Sequence, residues 1–196
     1  MVRSRTAPAP AAILSSLDFR IWQTSPRAMA QAHAHPDVEV NVVRKGTIRY
    51  FLSGRFYEIR AGEVGVFWAG MPHQTLEKGP GLEGIWMTLP LPWLLRWKAA
   101  ASLTERLMAG DLVAFASSPA SHEIYAQWVR DFQSRDTALR EILITEIGCH
   151  LSRASLNLPH TPGKRPRPPR GMEKLTEVTA FLGRNYGEEL SVATVA

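Results

Sequence analysis

The segment HAHPDVE sets His33 and His35 one residue apart and Glu39 three residues further on. Imidazole nitrogens and a carboxylate oxygen are the side-chain donors that first-row divalent cations take up. In an extended chain alternate side chains share a face. His33, His35, Glu39 and Asn41 can therefore project one way while Val38, Val40 and Val42 project the other. A third imidazole, His73, follows the turn residues Gly70, Met71 and Pro72, and antiparallel pairing of the two segments could bring it beside the others. The set His33, His35, Glu39 and His73 would suit Zn²⁺, Ni²⁺, Mn²⁺ or Fe²⁺. The same side chains could equally be polar groups at the mouth of a barrel, contacting a small ligand without a metal. His122, His150 and His160 have no partners at ligand spacing and receive no role.

The elements that must position these groups read as strands. Between residues 38 and 89 short alternating runs are separated by turn residues: Val38 to Arg44, Thr47 to Ser53, Arg55 to Arg60, Glu63 to Trp68 and Leu82 to Leu89. That spacing predicts an antiparallel sandwich or barrel. After Pro92 the period changes. Leu94 to Met108 reads as one helix stopped by Gly110 and Asp111, Ser121 to Ser134 as a second and Thr137 to Leu156 as a third. The third carries Leu139, Leu143, Ile147 and Leu151 at helical spacing, with Ile142 and Ile144 widening its apolar face. A helix so apolar is expected to pack on two sides, one of them a second subunit. Residues 158–171 hold Pro159, Pro162, Pro166, Pro168 and Pro169 with Lys164, Arg165, Arg167 and Arg170, the composition of a semi-rigid basic linker. Met172 to Tyr186 resumes as an amphipathic helix, with Ser191 placed to cap another.

The spacing of His33, His35, Glu39 and Gly46, followed by Gly62, Gly70 and His73, resembles the two sequence motifs of the cupin family. Trp68 stands where the second motif has proline and Glu77 where it has asparagine, and Arg27 replaces the glycine that opens the first. The C-terminal residues Asn185, Tyr186, Glu189, Leu190, Ser191, Val192, Val195 and Ala196 resemble the opening of the AraC/XylS DNA-binding domain. HAHPDVEVNVV and FWAGMPHQ are similar to the barrel wording of one branch of that family. The resemblance implies a mainly β plus α protein: a cupin (double-stranded β-helix) barrel over 13–92, a helical dimerisation arm over 93–157, the linker over 158–171 and an incomplete helix-turn-helix segment over 172–196. Residues 1–12 are expected to be disordered. It also implies the sensor part of a ligand-responsive transcription regulator that binds a small effector, a sugar or other carbon source, pairs as a homodimer and reaches DNA only through the full helix-turn-helix domain. A sugar would need convergent polar groups beside an aromatic platform. Asn41, Arg49 and Glu39 are candidates for the first, with His33, His35 and His73 beside them. Trp68 is favoured for the second over Trp86 or Tyr50. Leu139, Leu143, Ile147 and Leu151 are the candidate dimer seam. The competing expectation is a metal-dependent cupin enzyme, a dioxygenase or isomerase, using the same four ligands.

Composition agrees with a protein of this class. A hydrophobic content of 45% supports a packed core. The single Cys149 excludes an internal disulfide and any cysteine-based zinc cluster, and suits a reducing cytoplasm. Prolines 8 and 10 break the apolar stretch that a signal peptide would need, and no run is long enough to span a membrane. The net charge of +5 permits a polyanionic partner, although Lys164, Arg165, Arg167 and Arg170 place much of the excess in the linker.

Overall fold

The computed structural model describes residues 19–23 and 26–158. The expected disorder of residues 1–12, the basic linker beyond Leu158 and the helix-turn-helix segment lie outside the described residues. Among the described residues eight strands form two sheets. In chain order they are β1 (Arg20–Trp22), β2 (Val38–Lys45), β3 (Thr47–Leu52), β4 (Arg55–Arg60), β5 (Glu63–Trp68), β6 (His73–Lys78), β7 (Glu83–Leu89) and β8 (Val113–Ala116). The larger sheet runs β1-β7-β2-β5-β8 and the smaller β4-β3-β6, with every pairing antiparallel. The turn from β2 into β3 passes through Gly46 at φ +73, where an added Cβ would meet the Leu82 backbone at 3.0 Å. Only glycine satisfies both demands there.

Strand β2 lies between β5 and β7, and both of its faces are covered. Asn41 reaches across to Tyr50 of the smaller sheet, and Tyr50 packs on Phe67, so this face lines the space between the sheets. Val38, Val40 and Val42 form the opposite face by the period of two. They join a core that also holds Leu103, Leu107, Leu143 and Ile147. The helices are α1 (Leu91–Arg96), α2 (Ala101–Met108), α3 (Pro119–Ser134) and α4 (Thr137–Leu156), with a 3-10 turn at Lys98–Ala100 between the first two. Among the described residues no helix is long and apolar enough to cross a membrane.

Three expectations change. The single helix expected over Leu94 to Met108 is broken at Trp97, whose backbone leaves the helical region at φ −81, ψ 84. The Trp97 indole packs against Gly148 of α4, where an added Cβ would lie 2.6 Å from the ring, and this seat holds the break. Strand β8 falls inside the segment read as a helical arm and pairs with β5, matching Val66 to Val113 and Val64 to Phe115. One core therefore runs through both sides of residue 92. Finally, α4 has the expected bounds, but Leu143, Ile147 and Leu151 are buried inside the chain, at 0%, 1% and 1% exposure. They pack where α4 meets the Lys98–Ala100 turn, α2 and α3, so they are not free to meet another subunit.

Both long helices begin on side-chain caps. Ser118 accepts from the Ser121 N–H at 3.2 Å, and Asp136 accepts from Ala138 and Leu139 at 2.8 and 3.1 Å, filling donors that a helix start leaves open. Where α3 and α4 meet, the Tyr125 hydroxyl and His150 Nε2 share a hydrogen bond at 2.9 Å. Burial pushes the phenol up to about 12 and the imidazole below its usual value, so phenol and neutral imidazole are the matching forms.

Leu143→Ala should cost about 2–5 kcal/mol in a denaturant titration, whereas Ile142→Ala, at a side chain 51% exposed, should change it by no more than about 0.5 kcal/mol. Because the folded chain holds His150 below the unfolded value of about 6.5, the unfolded chain protonates first as pH falls. The His150 contribution is intact above about 6.5 and is lost as pH drops through the folded value. His150→Phe should therefore flatten the decline of the urea midpoint between about pH 7.5 and 5, and an unchanged slope would contradict this role.

Candidate metal and effector site

The candidate ligands come from two segments tied together by main-chain bonds. Residues 33–37 lead into β2 without being part of it, because the strand begins only at Val38. The grouping therefore does not come from one extended face. His33 and His73 exchange N–H to carbonyl bonds at 3.0 and 2.9 Å. Further on, His35 N–H donates to Ala69 O and Ala69 N–H to Asp37 O, both at 2.9 Å. These bonds clip the segment before β2 to the turn before β6. His33, His35, Glu39 and His73 consequently present donor atoms that all lie within 4.8 Å of one another, and the rings of His33 and His73 are 4.3 Å apart between centroids.

The tautomers are set from outside the cluster. His73 is fully buried, and its Nδ1 lies 3.0 Å from the Met71 carbonyl, which can only accept. Nδ1 therefore carries a proton, and in the neutral ring Nε2 presents a lone pair. That Nε2 has no hydrogen-bond partner among the described residues and lies 3.4 Å from Glu39 Oε1. His35 Nδ1 is held by Asp37 Oδ2 at 3.0 Å, which turns its Nε2 to the same Glu39 oxygen at 3.2 Å. One carboxylate oxygen is thus flanked by two imidazole nitrogens, an arrangement that calls for a proton or a cation between acceptors.

The electrostatics follow that geometry. For Glu39 burial alone would raise the carboxyl, but the bond from His35 and the adjacent His73 ring outweigh it and hold the group down at about 2. The Glu39 bond raises His35 against its own burial. Burial lowers His33, assisted by the positive charge available to His73 and His35. Three nitrogens and one oxygen around a common point, with a buried lone pair lacking a donor, fit a divalent cation. The Asp37–His35 and Met71–His73 contacts are the outer supports such ligands usually have.

Of the remaining predicted residues, Asn41 is at the site. It is buried, and its Nδ2 donates to Glu39 Oε2 at 3.3 Å and to the Tyr50 hydroxyl at 3.0 Å. Arg49 is not at the site. The period of two that turns Tyr50 inward sends Arg49 outward, where it pairs with Glu77 at 3.1 Å. Trp68 does not serve as the platform either, being buried with its indole N–H on the Pro36 carbonyl at 3.3 Å and its ring over Gly70. The aromatic ring at the site is its neighbour Phe67, which lies opposite Glu39 in the β2–β5 register and 5.1 Å from the His73 ring. Asp37 and Phe67 are not among the residues expected at the site, although strand alternation opposite Glu39 selects Phe67. Trp86 and Tyr50 are buried with Asn41 between the sheets; Trp86 faces Asn41 in register.

Arg49→Ala should accordingly leave ligand binding unchanged and shift stability by no more than about 0.5 kcal/mol. Trp68→Ala should cost about 3–5 kcal/mol in a denaturant titration. Loss of ligand binding in a stably folded Arg49→Ala chain would contradict this placement.

The cupin domain family model matches residues 20–89. The melibiose operon regulatory protein of Escherichia coli strain K12 is 26% identical over 189 residues, covering 92% of this chain. The chain spans 61% of that relative's length. Among solved structures, the AraC-like transcriptional activator CuxR is similar at 14% identity with a TM-score of 0.51, covering 82% of this chain and 55% of its own. An apo ToxT variant from Vibrio cholerae strain SCE256 aligns at 10% identity with a TM-score of 0.46, covering 90% and 68%. Residues 20–89 thus match the cupin domain model, in a chain similar along nearly all its length to a melibiose operon regulator and alike in fold to an AraC-like activator.

Proposed function

We propose that this chain is the effector-sensing region of an AraC-type, ligand-responsive transcription regulator, and that His33, His35, Glu39 and His73 hold a divalent cation beside the effector. The regulator reading is carried by one observation: the likeness to the melibiose operon regulator does not stop at the cupin domain but covers 92% of the chain, helices included. Regulation is what that relative's name describes, and its operon makes a sugar the effector class to try first. DNA contact would belong to the part of the protein around and beyond residue 172.

Within the site the chain's own residues have separate tasks. Met71 and Asp37 fix which nitrogen His73 and His35 present. Glu39 gives one oxygen to the cluster, and Phe67 forms an apolar wall beside it. A bound Zn²⁺, Ni²⁺, Mn²⁺ or Fe²⁺ would supply a positive anchor for an effector oxygen. His33 is exposed while His73 is buried, so the effector would approach from the His33 side. A second copy of the chain would meet α4 on the strip that remains outside the core, where Ala138, Glu141, Ile142, Thr145 and Glu146 line a surface groove of about 410 Å³.

The test is a thermal-shift series on chelator-stripped chain, with each cation alone and then with a panel of mono- and disaccharides. Binding to the folded state alone stabilises it by about 2.7 kcal/mol at a hundredfold excess over Kd. A cation-dependent rise in Tm that His33→Ala and His73→Ala abolish, and a further rise with one sugar, is the expected result. No shift with any cation would overturn the metal reading. Silence across the sugars would overturn the sugar reading, and oxygen uptake or sugar isomerisation by the loaded chain would move the function to an enzyme.

A further inference from the structure

Inward of the four ligands, and not needed for a cation to be held, lies a buried polar chain. Asn41 is 1% exposed, and its amide nitrogen bridges Glu39 Oε2 at 3.3 Å and the Tyr50 hydroxyl at 3.0 Å. The amide must face this way, because its oxygen turned to the Glu39 carboxylate would set acceptor against acceptor. Its Oδ1 is buried without a partner among the described residues. Tyr50 is buried with its ring against Phe67, and its hydroxyl accepts from Asn41. The two Glu39 oxygens are therefore unlike: Oε2 belongs to Asn41, and Oε1 alone reaches His35 and His73 at 3.2 and 3.4 Å.

We infer that Asn41, braced by Tyr50, is a positioning residue that holds Glu39 by Oε2 so that it meets a cation through Oε1 alone. This rests on the metal reading above. The single-oxygen grip leaves the remaining side of the cation to the effector, since a carboxylate free to turn could chelate with both oxygens and fill it. Strand geometry gives the device its rigidity: Glu39 and Asn41 are two apart on β2, share one face, and are held between β5 and β7 on both sides.

The experiment is Zn²⁺ binding to the whole chain by competition with a chromophoric chelator, in wild type, Asn41→Leu and Tyr50→Phe, each also made in a Glu39→Ala background. Circular dichroism and melting curves report folding. Asn41→Leu is expected to weaken Zn²⁺ roughly 10- to 100-fold, the range for supports of metal ligands, and Tyr50→Phe less. Both effects should vanish when Glu39 is already absent. Equal weakening in both backgrounds would show a general packing role and overturn the inference, as would unchanged affinity in the folded variants. If Asn41→Leu does not fold, Tyr50→Phe carries the same cycle: weakening only where Glu39 is present supports the inference, and equal or no weakening overturns it. Wild type that takes no Zn²⁺ overturns the metal reading and this inference with it, whereas tight wild-type binding with inert variants overturns this inference alone.

Discussion

A fully buried imidazole whose Nε2 faces a carboxylate oxygen is the constraint around which the rest of the site is arranged. His73 Nδ1–H is committed to the Met71 carbonyl, and Nε2 is left 3.4 Å from Glu39 Oε1 with no donor between them. Two acceptors at that separation repel unless a proton or a cation is shared. His35 brings its Nε2 to the same oxygen from the other side. The cluster is thus a ready-made preference for positive charge, with protons and divalent cations competing for one location.

Holding those groups together costs conformational freedom, and the fold supplies the means. The residues before β2 and the turn before β6 exchange main-chain bonds across His33 and His73, so neither segment can drift without breaking several bonds at once. Strand β2, flanked by β5 and β7 and covered on its second face by the helices, gives Glu39 and Asn41 a stiff base. The helices are part of the same core as the barrel and not an appendage. Strand β8 extends the larger sheet, and the Trp97 seat on Gly148 locks α1, α2 and α4 into one arrangement.

The clustering of His33, His35 and Glu39, the pairing that brings in His73 and the strand bounds from β2 to β5 are legible in the sequence because they depend on spacing and on a period of two. Glu39 and Asn41 sort from Val38, Val40 and Val42 by alternation alone. Arg49 and Trp68 are misplaced when residue type is weighed above phase, since one step along the strand exchanges Arg49 for Tyr50 and Trp68 for Phe67. The shared face expected for His33 and His35 fails for a different reason: residues 33–37 are held by bonds to a distant turn, a tertiary effect that local periodicity does not carry. The seam residues Leu143, Ile147 and Leu151 read as apolar, which they are, but periodicity does not say which of two apolar sides meets the chain's own core. Strand β8 is only Val113–Ala116, too short to show a period beside long helices.

The central claim, that these four side chains form one cation site, is tested most directly by the anomalous-scattering map of crystals of the chain grown with Zn²⁺. The expected result is a single strong peak bonded to His33, His35, His73 and one oxygen of Glu39, at about 2.0–2.2 Å from each. An anomalous map with no peak among these residues, at saturating Zn²⁺, would contradict it.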